Sequence, residues 1–307
     1  MVWPIGAKRV VRNETAMALP QSTAPSLSQP LADASTQPWA IKNLPPFPAV
    51  ALQLMGLLDC DVPVKDVVKL LRMDPALAAE ILRVSNSPLY GLSRHVDSVS
   101  HAVVVLGGDA VKRLALTVAL GRFTHNLMKH KGLRRCWDHS VACALIAEDL
   151  AEFAGQGKAR AYTAGLLHDV GRLALLACYP DEYETLLAAA PANDFDFRTT
   201  EKKLFGIDHC SAGHWLSKSW NLPSDMTEAI ASHHEEGLAK GSLPSLIAVS
   251  DNLAAALGYG TVELKNKTEL PDVIAQLGAD DADAALKKTE ALSGRIAEAL
   301  AVISSHR

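Results

Sequence analysis

The sequence has no apolar run that approaches the roughly 20 residues needed to span a bilayer. Its start, MVWPIGAKRVVRNETAM, carries positive charges without the continuous apolar region of a signal peptide. The net charge of −4 lacks the clustered basic excess that is typical of nucleic-acid-binding proteins. Five cysteines occur without a C-x-x-C pair, which indicates reduced thiols. We therefore predict a cytoplasmic protein that binds neither nucleic acid nor membrane.

The length of 307 residues allows about two domains, or one large domain with an extension. Residues 1–40 combine several prolines with Ser, Thr, Gln and Ala and show no sustained apolar period, which predicts a poorly structured tail. Beyond them, apolar residues recur at helical spacing and no hairpin signal occurs. We predict an all-α fold with the short connections of a helix bundle.

Helix boundaries follow from capping residues and breakers. Asp74-Pro75 is a strong start signal, with Asp as N-cap and Pro at the first helical position. The predicted helices cover residues 50–58, 64–71, 75–85, 98–106, 109 onwards, 137–153, 161–176 with a break at Gly171, 181–190, 199–220, 224–234, 245–257, 271–277 and 281–304.

A histidine and an aspartate stand side by side within the apolar segment AYTAGLLHDVGRLALL, as His168 and Asp169. Burying either group without a partner is costly, and a metal ion would satisfy both. Taken alone, the pair is also compatible with a capped or salt-bridged pair.

Further candidate ligands lie on other predicted helices of the same bundle. Facing helices that present His and carboxylate side chains inward are how bundles build dinuclear metal sites. The seven candidates, in chain order, are His139, His168, Asp169, His209, His233, His234 and Asp251. Mixed imidazole and carboxylate ligands suit Fe, Mn or Zn and argue against Ca.

Each candidate also has a purely structural explanation. His139 alone is more often a hydrogen-bonded core histidine, and Asp251 alone could be an N-cap or the partner of a basic residue. His209 alone could lie at the surface. Cys210 is left outside the predicted site, as a small core residue. The seven residues together indicate a metal site more specifically than any one of them does.

These motifs resemble the HD-related output domain (HDOD) family of the HD and HD-GYP metal-dependent phosphohydrolase superfamily. The N-terminal half of the family, which is specific to it, is matched by the segments LPPFPAVALQLM, DPALAAEILRVSNSPLYG and SVSHAVVVLGGDAVKRLAL. The C-terminal half is matched by WDHS, AGLLHDVGRLAL and SDNLA. The resemblance implies an HD-type multi-helix bundle preceded by an N-terminal helical subdomain. The domain would cover residues 41–256, divided into 41–125 and 126–256, with a C-terminal helical extension at 257–307.

By this resemblance, His139, His168, Asp169 and Asp251 hold one metal ion. Asp169 bridges to a second ion, completed by His209, His233 and His234, and is the catalytic candidate if the protein is active. The resemblance implies two divalent ions, with Fe or Mn expected ahead of Zn or Mg. Arg172 would bind substrate by facing a phosphate, although a basic residue near a helix end is an equally good reading.

Three hypotheses follow. The first is a bacterial-type signal-transduction protein that acts through a protein partner or a nucleotide ligand. It is favoured because the front half matches the output family and the segment after His234, EEGLAKGSLPSL, lacks the GYP element. The alternative is an active metal-dependent phosphohydrolase acting on a nucleotide or cyclic nucleotide. The third, a helical scaffold without a site, requires seven coincidences and ranks last.

Overall fold

The regular secondary structure of the described residues is entirely helical. The computed structural model describes residues 48–57, 63–124, 131–190, 196–262, 269–277 and 282–304, all within one compact unit, residues 37–307. No β-strand occurs in these ranges, which confirms the predicted all-α fold. The predicted tail, residues 1–40, and Cys60 lie outside the described residues.

The first half of the domain is built from helices that pack around a long fifth one. They are α1 Ala49–Gly56, α2 Val64–Arg72, α3 Pro75–Ser85, α4 Val99–Leu106 and α5 Gly108–Thr124. The Asp74 carboxylate accepts the Leu77 amide at 2.9 Å and begins α3, as the sequence predicts. The Ser98 hydroxyl caps α4 in the same way.

The second half is a bundle with one central helix, α6, that packs against α7, α8, α13 and α15. The helices are α6 Lys131–Leu150, α7 Lys158–Leu167, α8 Val170–Cys178, α9 Pro180–Ala189, α10 Phe197–Phe205, α11 His209–Ser219, α12 Ser224–Ser232, α13 Leu243–Ala254, α14 Leu270–Ala275 and α15 Ala282–Ser304. None of these described helices is long and apolar enough to cross a membrane.

The two halves share one hydrophobic core, which includes the fully buried Trp137 side chain. Helix α5 of the first half packs against α7 of the second. At that contact the Thr117 and Tyr162 hydroxyls are 2.7 Å apart and satisfy each other inside the protein. Pairing the two buried hydroxyls avoids the cost of leaving either without a hydrogen bond.

Three of the predicted helix boundaries are wrong. The chain breaks at His168 and Asp169 and not at Gly171, which lies inside α8. The predicted helix over 199–220 is two helices, separated by Gly206 with a φ of 78° and by Asp208, whose carboxylate caps α11. Helix α6 also begins six residues before the predicted position 137.

Gly171 lies where α8 and α11 approach most closely. A Cβ atom at this position would lie 1.9 Å from the His209 carbonyl oxygen and 2.4 Å from the Gly213 amide nitrogen. Both neighbours are backbone atoms and cannot rotate away. Glycine is therefore required for the backbone contact that brings the His168–Asp169 turn against the start of α11.

We expect Gly171→Ala to destabilise the protein by about 3 kcal/mol, because overpacking against backbone forces the two helices apart. Urea unfolding followed by circular dichroism measures this change. Gly294→Ala is the matched control, since Gly294 also lies within a helix and nothing lies within 4 Å of its added Cβ. Equal losses of stability in the two variants would contradict the proposed helix contact.

Candidate metal centre

Five structural elements bring the seven candidate ligands into one cluster. His139 projects from α6, His168 and Asp169 form the turn between α7 and α8, and His209 begins α11. The chain then adds His233 and His234 at the end of α12 and Asp251 on α13.

The first group of ligand atoms has the spacing of a single coordination sphere. The His139 Nε2 atom lies 2.9 Å from Asp251 Oδ1, 3.2 Å from His168 Nε2 and 4.0 Å from Asp169 Oδ2. The His168 Nε2 atom lies 3.9 Å from each of these two carboxylate oxygens. Ligand atoms about 2.0–2.2 Å from one ion are themselves roughly 3–4 Å apart. Ligand atoms of His139, His168 and Asp169 lie within 4.8 Å of one another and can share one ion, and Asp251, which contacts His139, is the candidate fourth ligand.

Backbone carbonyls fix the orientation of the two imidazoles in this group. His139 Nδ1 donates to the Tyr259 carbonyl at 2.9 Å, and His168 Nδ1 donates to the Gly165 carbonyl at 2.7 Å. Because a carbonyl oxygen only accepts, Nδ1 of each ring carries a proton, and the two Nε2 atoms face each other across the site. Metal-binding histidines are commonly held by this arrangement.

The carbonyl that orients His139 comes from a wide turn after α13, Ala255–Tyr259, which has the hydrogen-bond pattern of a π-helix. Such turns occur often at functional sites. Gly258 has a φ of 93° within it, which a side chain rarely permits. Glycine at this position allows the chain to turn back so that the Tyr259 carbonyl reaches the centre.

The second group of ligand atoms surrounds the other oxygen of Asp169. Its Oδ1 atom lies 3.7 Å from His209 Nε2 and 3.7 Å from His233 Nε2. His233 Nδ1 donates to the Ile230 carbonyl at 3.0 Å, which leaves its Nε2 atom with a lone pair. His234 lies at the rim, with its Nδ1 atom 3.5 Å from Asp251 Oδ2.

Charged neighbours keep both carboxylates ionised despite burial. Burial alone would raise the pKa of Asp169, but the Arg172 guanidinium holds it well below its usual range. Burial likewise opposes the low pKa of Asp251, which the hydrogen bond from His139 maintains. Burial lowers the pKa of His168 to about 4, so this imidazole is neutral at pH 7.

The donor set fits a divalent cation. Among the described side-chain atoms, Asp169 Oδ1 and His233 Nε2 are buried without a hydrogen-bond partner. Both are acceptors and neither can satisfy the other, and buried polar atoms without a partner are costly. A bound cation would satisfy these acceptors and could take the Nε2 atoms of the first group as ligands.

Arg172 lies beside the cluster and is 4% exposed. Its Nε atom donates to Asp169 Oδ2 at 2.8 Å and its Nη2 atom donates to His209 Nε2 at 3.1 Å. The guanidinium carbon also lies 5.0 Å from the centre of the Phe197 ring. The side chain implied by the resemblance to face a phosphate thus points into the bundle.

An open cleft of about 590 Å³ borders the centre at His233 and His234. Glu235 and Glu236 line it, and Lys240 is the only lysine or arginine among the described lining residues. At this cleft His234 is exposed, whereas the adjacent His233 is buried.

The comparisons with known proteins agree with this architecture. The family model for the HDOD domain matches residues 44–236. The chain belongs to the HDOD family. An HDOD protein of unknown function from Geobacter sulfurreducens has the same fold, with a TM-score of 0.73 and 27% identity over 85% of this chain and 93% of that one.

Two further solved structures are similar to this chain. A candidate phosphohydrolase from Shewanella amazonensis superposes with a TM-score of 0.69 at 25% identity, covering 86% of this chain and 96% of that one. A candidate signal-transduction protein from Marinobacter aquaeolei superposes with a TM-score of 0.70 at 25% identity, covering 86% of this chain and 64% of that one.

Among curated proteins, an uncharacterised Treponema pallidum protein is 25% identical over 63% of this chain. A ribonuclease Y from Oleidesulfovibrio alaskensis is 26% identical over 60% of it. The matched segments span 38% and 29% of those two relatives.

Two residues of this HDOD centre are missed by the sequence patterns. Glu201 is fully buried and its Oε2 atom accepts from His209 Nδ1 at 2.6 Å and from the His209 amide at 2.9 Å. Tyr183 donates to Glu201 Oε1 and accepts from Arg172 Nη1 at 3.2 Å. Glu201 occurs in the polar stretch FRTTEKKLF, which resembles a solvated helix face and gives no signal of burial.

Cys210 also lies closer to the centre than the sequence indicates. One ligand atom from each of His209, Cys210, His233 and His234 lies within 4.8 Å of the others. The structure thus brings Cys210, which the sequence pattern leaves outside the site, against the imidazoles of the second group.

Glu201→Gln should lower the free energy of unfolding by about 2 kcal/mol, because a hydrogen bond to a buried charge contributes roughly 1.5–3 kcal/mol. Glutamine keeps the shape of the side chain and removes the charge that faces Arg172 and His209. The measurement is urea unfolding at pH 7.

Glu235→Gln provides the control, since Glu235 forms a 2.8 Å pair with Arg198 and its side chain is 52% exposed. Such exposed pairs contribute about 0–1 kcal/mol. A Glu201→Gln variant as stable as this control would show that the buried carboxylate does not support the centre.

Proposed function

We propose that this HDOD protein is a bacterial-type regulatory module of signal transduction that acts in the cytoplasm. It holds a divalent metal ion in its HD centre and works by binding a protein partner or a nucleotide ligand. The observation that carries the proposal is the closure of the first ligand group. His139, His168 and Asp169 are each 1–2% exposed.

Closure of this kind favours a structural or sensing ion over a catalytic one. Structural metal sites are closed by protein ligands, whereas catalytic sites keep a position open for water or substrate. In the first group, Asp251 is the most exposed ligand, and 13% of its side chain is accessible. A substrate phosphate has little room to approach the four ligand atoms.

The charges around the cleft support the same interpretation. A phosphate ester entering along His233 and His234 would meet Glu235 and Glu236, with Lys240 as the cation. Arg172 is committed to partners inside the bundle and does not line this cleft. The likeness to the Marinobacter signal-transduction candidate is consistent with a regulatory role.

The ion would be held by His139, His168, Asp169 and Asp251. Two imidazole nitrogens and two carboxylate oxygens suit Fe, Mn or Zn, and we propose Fe or Mn. When bound, such an ion acidifies a coordinated water and polarises phosphoryl oxygens. In the regulatory protein the ion instead neutralises the buried carboxylates, while the Tyr259 and Gly165 carbonyls keep the two imidazoles in place.

A metal-dependent phosphohydrolase is the second candidate function. The cleft of about 590 Å³ borders His233 and His234, and the exposed His234 is open to a molecule from solution. The likeness to the Shewanella phosphohydrolase candidate and to ribonuclease Y proteins makes a nucleotide phosphoester the substrate class to test. In this function Asp169 would be the catalytic ligand, because its two oxygens face both groups of histidines.

The metal site is tested by the metal content of anaerobically purified protein, measured by mass spectrometry. We expect near-stoichiometric Fe or Mn in the wild type and its loss in Asp169→Ala, because a buried neutral side chain cannot replace the carboxylate ligand. His214→Ala is the matched control, since His214 is an exposed histidine on α11 and lies outside the cluster. A folded wild type without bound metal would contradict the proposed site.

The choice between the two functions is tested by a panel of phosphoesters that includes cyclic dinucleotides, nucleoside phosphates and an RNA oligonucleotide. For the regulatory module we expect no turnover by metal-loaded protein above the level of Asp169→Ala. Turnover at a useful rate that disappears in Asp169→Ala would replace the regulatory proposal with the phosphohydrolase.

A further inference from the structure

The two groups of ligands are not equally available to metal ions. In the first group, His139 Nε2 contacts only other candidate ligands, Asp251 Oδ1 at 2.9 Å and His168 Nε2 at 3.2 Å, and no arginine or lysine donates to it among the described contacts. In the second group, the corresponding atom of His209 is already engaged. The Arg172 Nη2 atom donates to it at 3.1 Å.

The number of lone pairs on each acceptor atom determines whether the contact with Arg172 prevents metal binding. A neutral imidazole has one nitrogen lone pair, which either accepts a hydrogen bond or binds a metal. His209 Nδ1 donates to Glu201 at 2.6 Å, so Nε2 carries that lone pair, and Arg172 uses it. A carboxylate oxygen has two lone pairs, so the Arg172 contact to Asp169 Oδ2 still leaves this oxygen able to bind the first ion.

Arg172 is held firmly in this position. Besides Asp169 and His209, its guanidinium donates to the Tyr183 hydroxyl at 3.2 Å and lies 3.7 Å from Glu201 Oε1. Phe197 covers its flat face. Turning the side chain away would leave two buried carboxylates without their cation, which is strongly unfavourable.

The charge balance in the buried cluster favours the binding of one divalent ion. Asp169, Asp251 and Glu201 contribute three carboxylates, and Arg172 contributes one guanidinium. With neutral imidazoles, this leaves two negative charges uncompensated. One divalent ion neutralises them, whereas two divalent ions would leave a buried excess of two positive charges, which is costly in a medium of low polarity.

We propose that the Arg172 guanidinium takes the place of a second metal ion, so that the centre binds one divalent ion, held by His139, His168, Asp169 and Asp251. This proposal rests on the metal site proposed above. It replaces the two ions that the family resemblance implies with one ion and one fixed organic cation. His209 then serves as a hydrogen-bond acceptor for Arg172 and not as a metal ligand.

The experiment counts the ions bound by Mn²⁺-loaded protein after gel filtration and records its electron paramagnetic resonance spectrum. The wild type should bind one Mn²⁺ per chain and give the spectrum of an isolated ion. Arg172→Met should bind up to two and give a spin-coupled spectrum, because His209 Nε2 becomes available next to Asp169 Oδ1. Arg160→Met is the control, since Arg160 pairs with Asp225 away from the centre, and it should bind one.

The outcomes separate this proposal from the metal site itself. Two ions in the wild type, or one ion in a folded Arg172→Met variant, would overturn the role given to Arg172. No ion in the folded wild type would remove the metal site, and with it both proposals.

If Arg172→Met does not fold, a second pair of variants tests whether His209 is a metal ligand. His209→Ala should keep the single ion and the unchanged spectrum, since His209 is not a ligand. His139→Ala should lose the ion. Loss of bound Mn²⁺ in His209→Ala with the fold intact would overturn the proposal.

Discussion

The centre of this protein depends on one buried carboxylate placed at a break between two helices. Asp169 occupies the position before α8 where an aspartate usually caps the helix with its side chain. Here the side chain makes no capping hydrogen bond and points into the bundle. The positive end of the α8 dipole still favours its charge, while its two oxygens are left to face the histidines. The arrangement of the surrounding helices follows from the need to compensate this charge.

The seven clustered residues could be selected from the sequence because most of them are polar groups within or beside apolar helical segments. Such positions are conspicuous, since an unpaired buried charge is not tolerated. The direction of the Arg172 side chain could not be predicted. Its three-residue spacing from Asp169 is compatible with a contact to that carboxylate and equally with exposure at a helix end. Only the packing of Glu201, Tyr183 and Phe197 around the guanidinium fixes its orientation inside the bundle.

Two other features are not determined by the residue pattern. The Tyr259 carbonyl that orients His139 is a backbone group, and any residue would supply it. Gly171 is conspicuous, but a glycine in an apolar segment indicates a helix break and a close helix contact equally well. The break lies two residues earlier, and Gly171 permits the contact between α8 and α11. Fold class and most helix positions were therefore predictable from local patterns, whereas the hydrogen-bond network that completes the centre was not.

Tyr259 joins the centre to the last helix of the domain. Its carbonyl accepts from His139, and its hydroxyl donates to the Ser293 carbonyl on α15 at 3.5 Å. The same helix is fastened to α6 by Arg295, which pairs with Asp149 at 2.8 Å. A molecule that displaced α15 on binding would act on this hydrogen-bonded connection to His139. Any resulting change in the affinity for an ion would be reciprocal, so an ion in the centre would change the affinity for that molecule by the same factor.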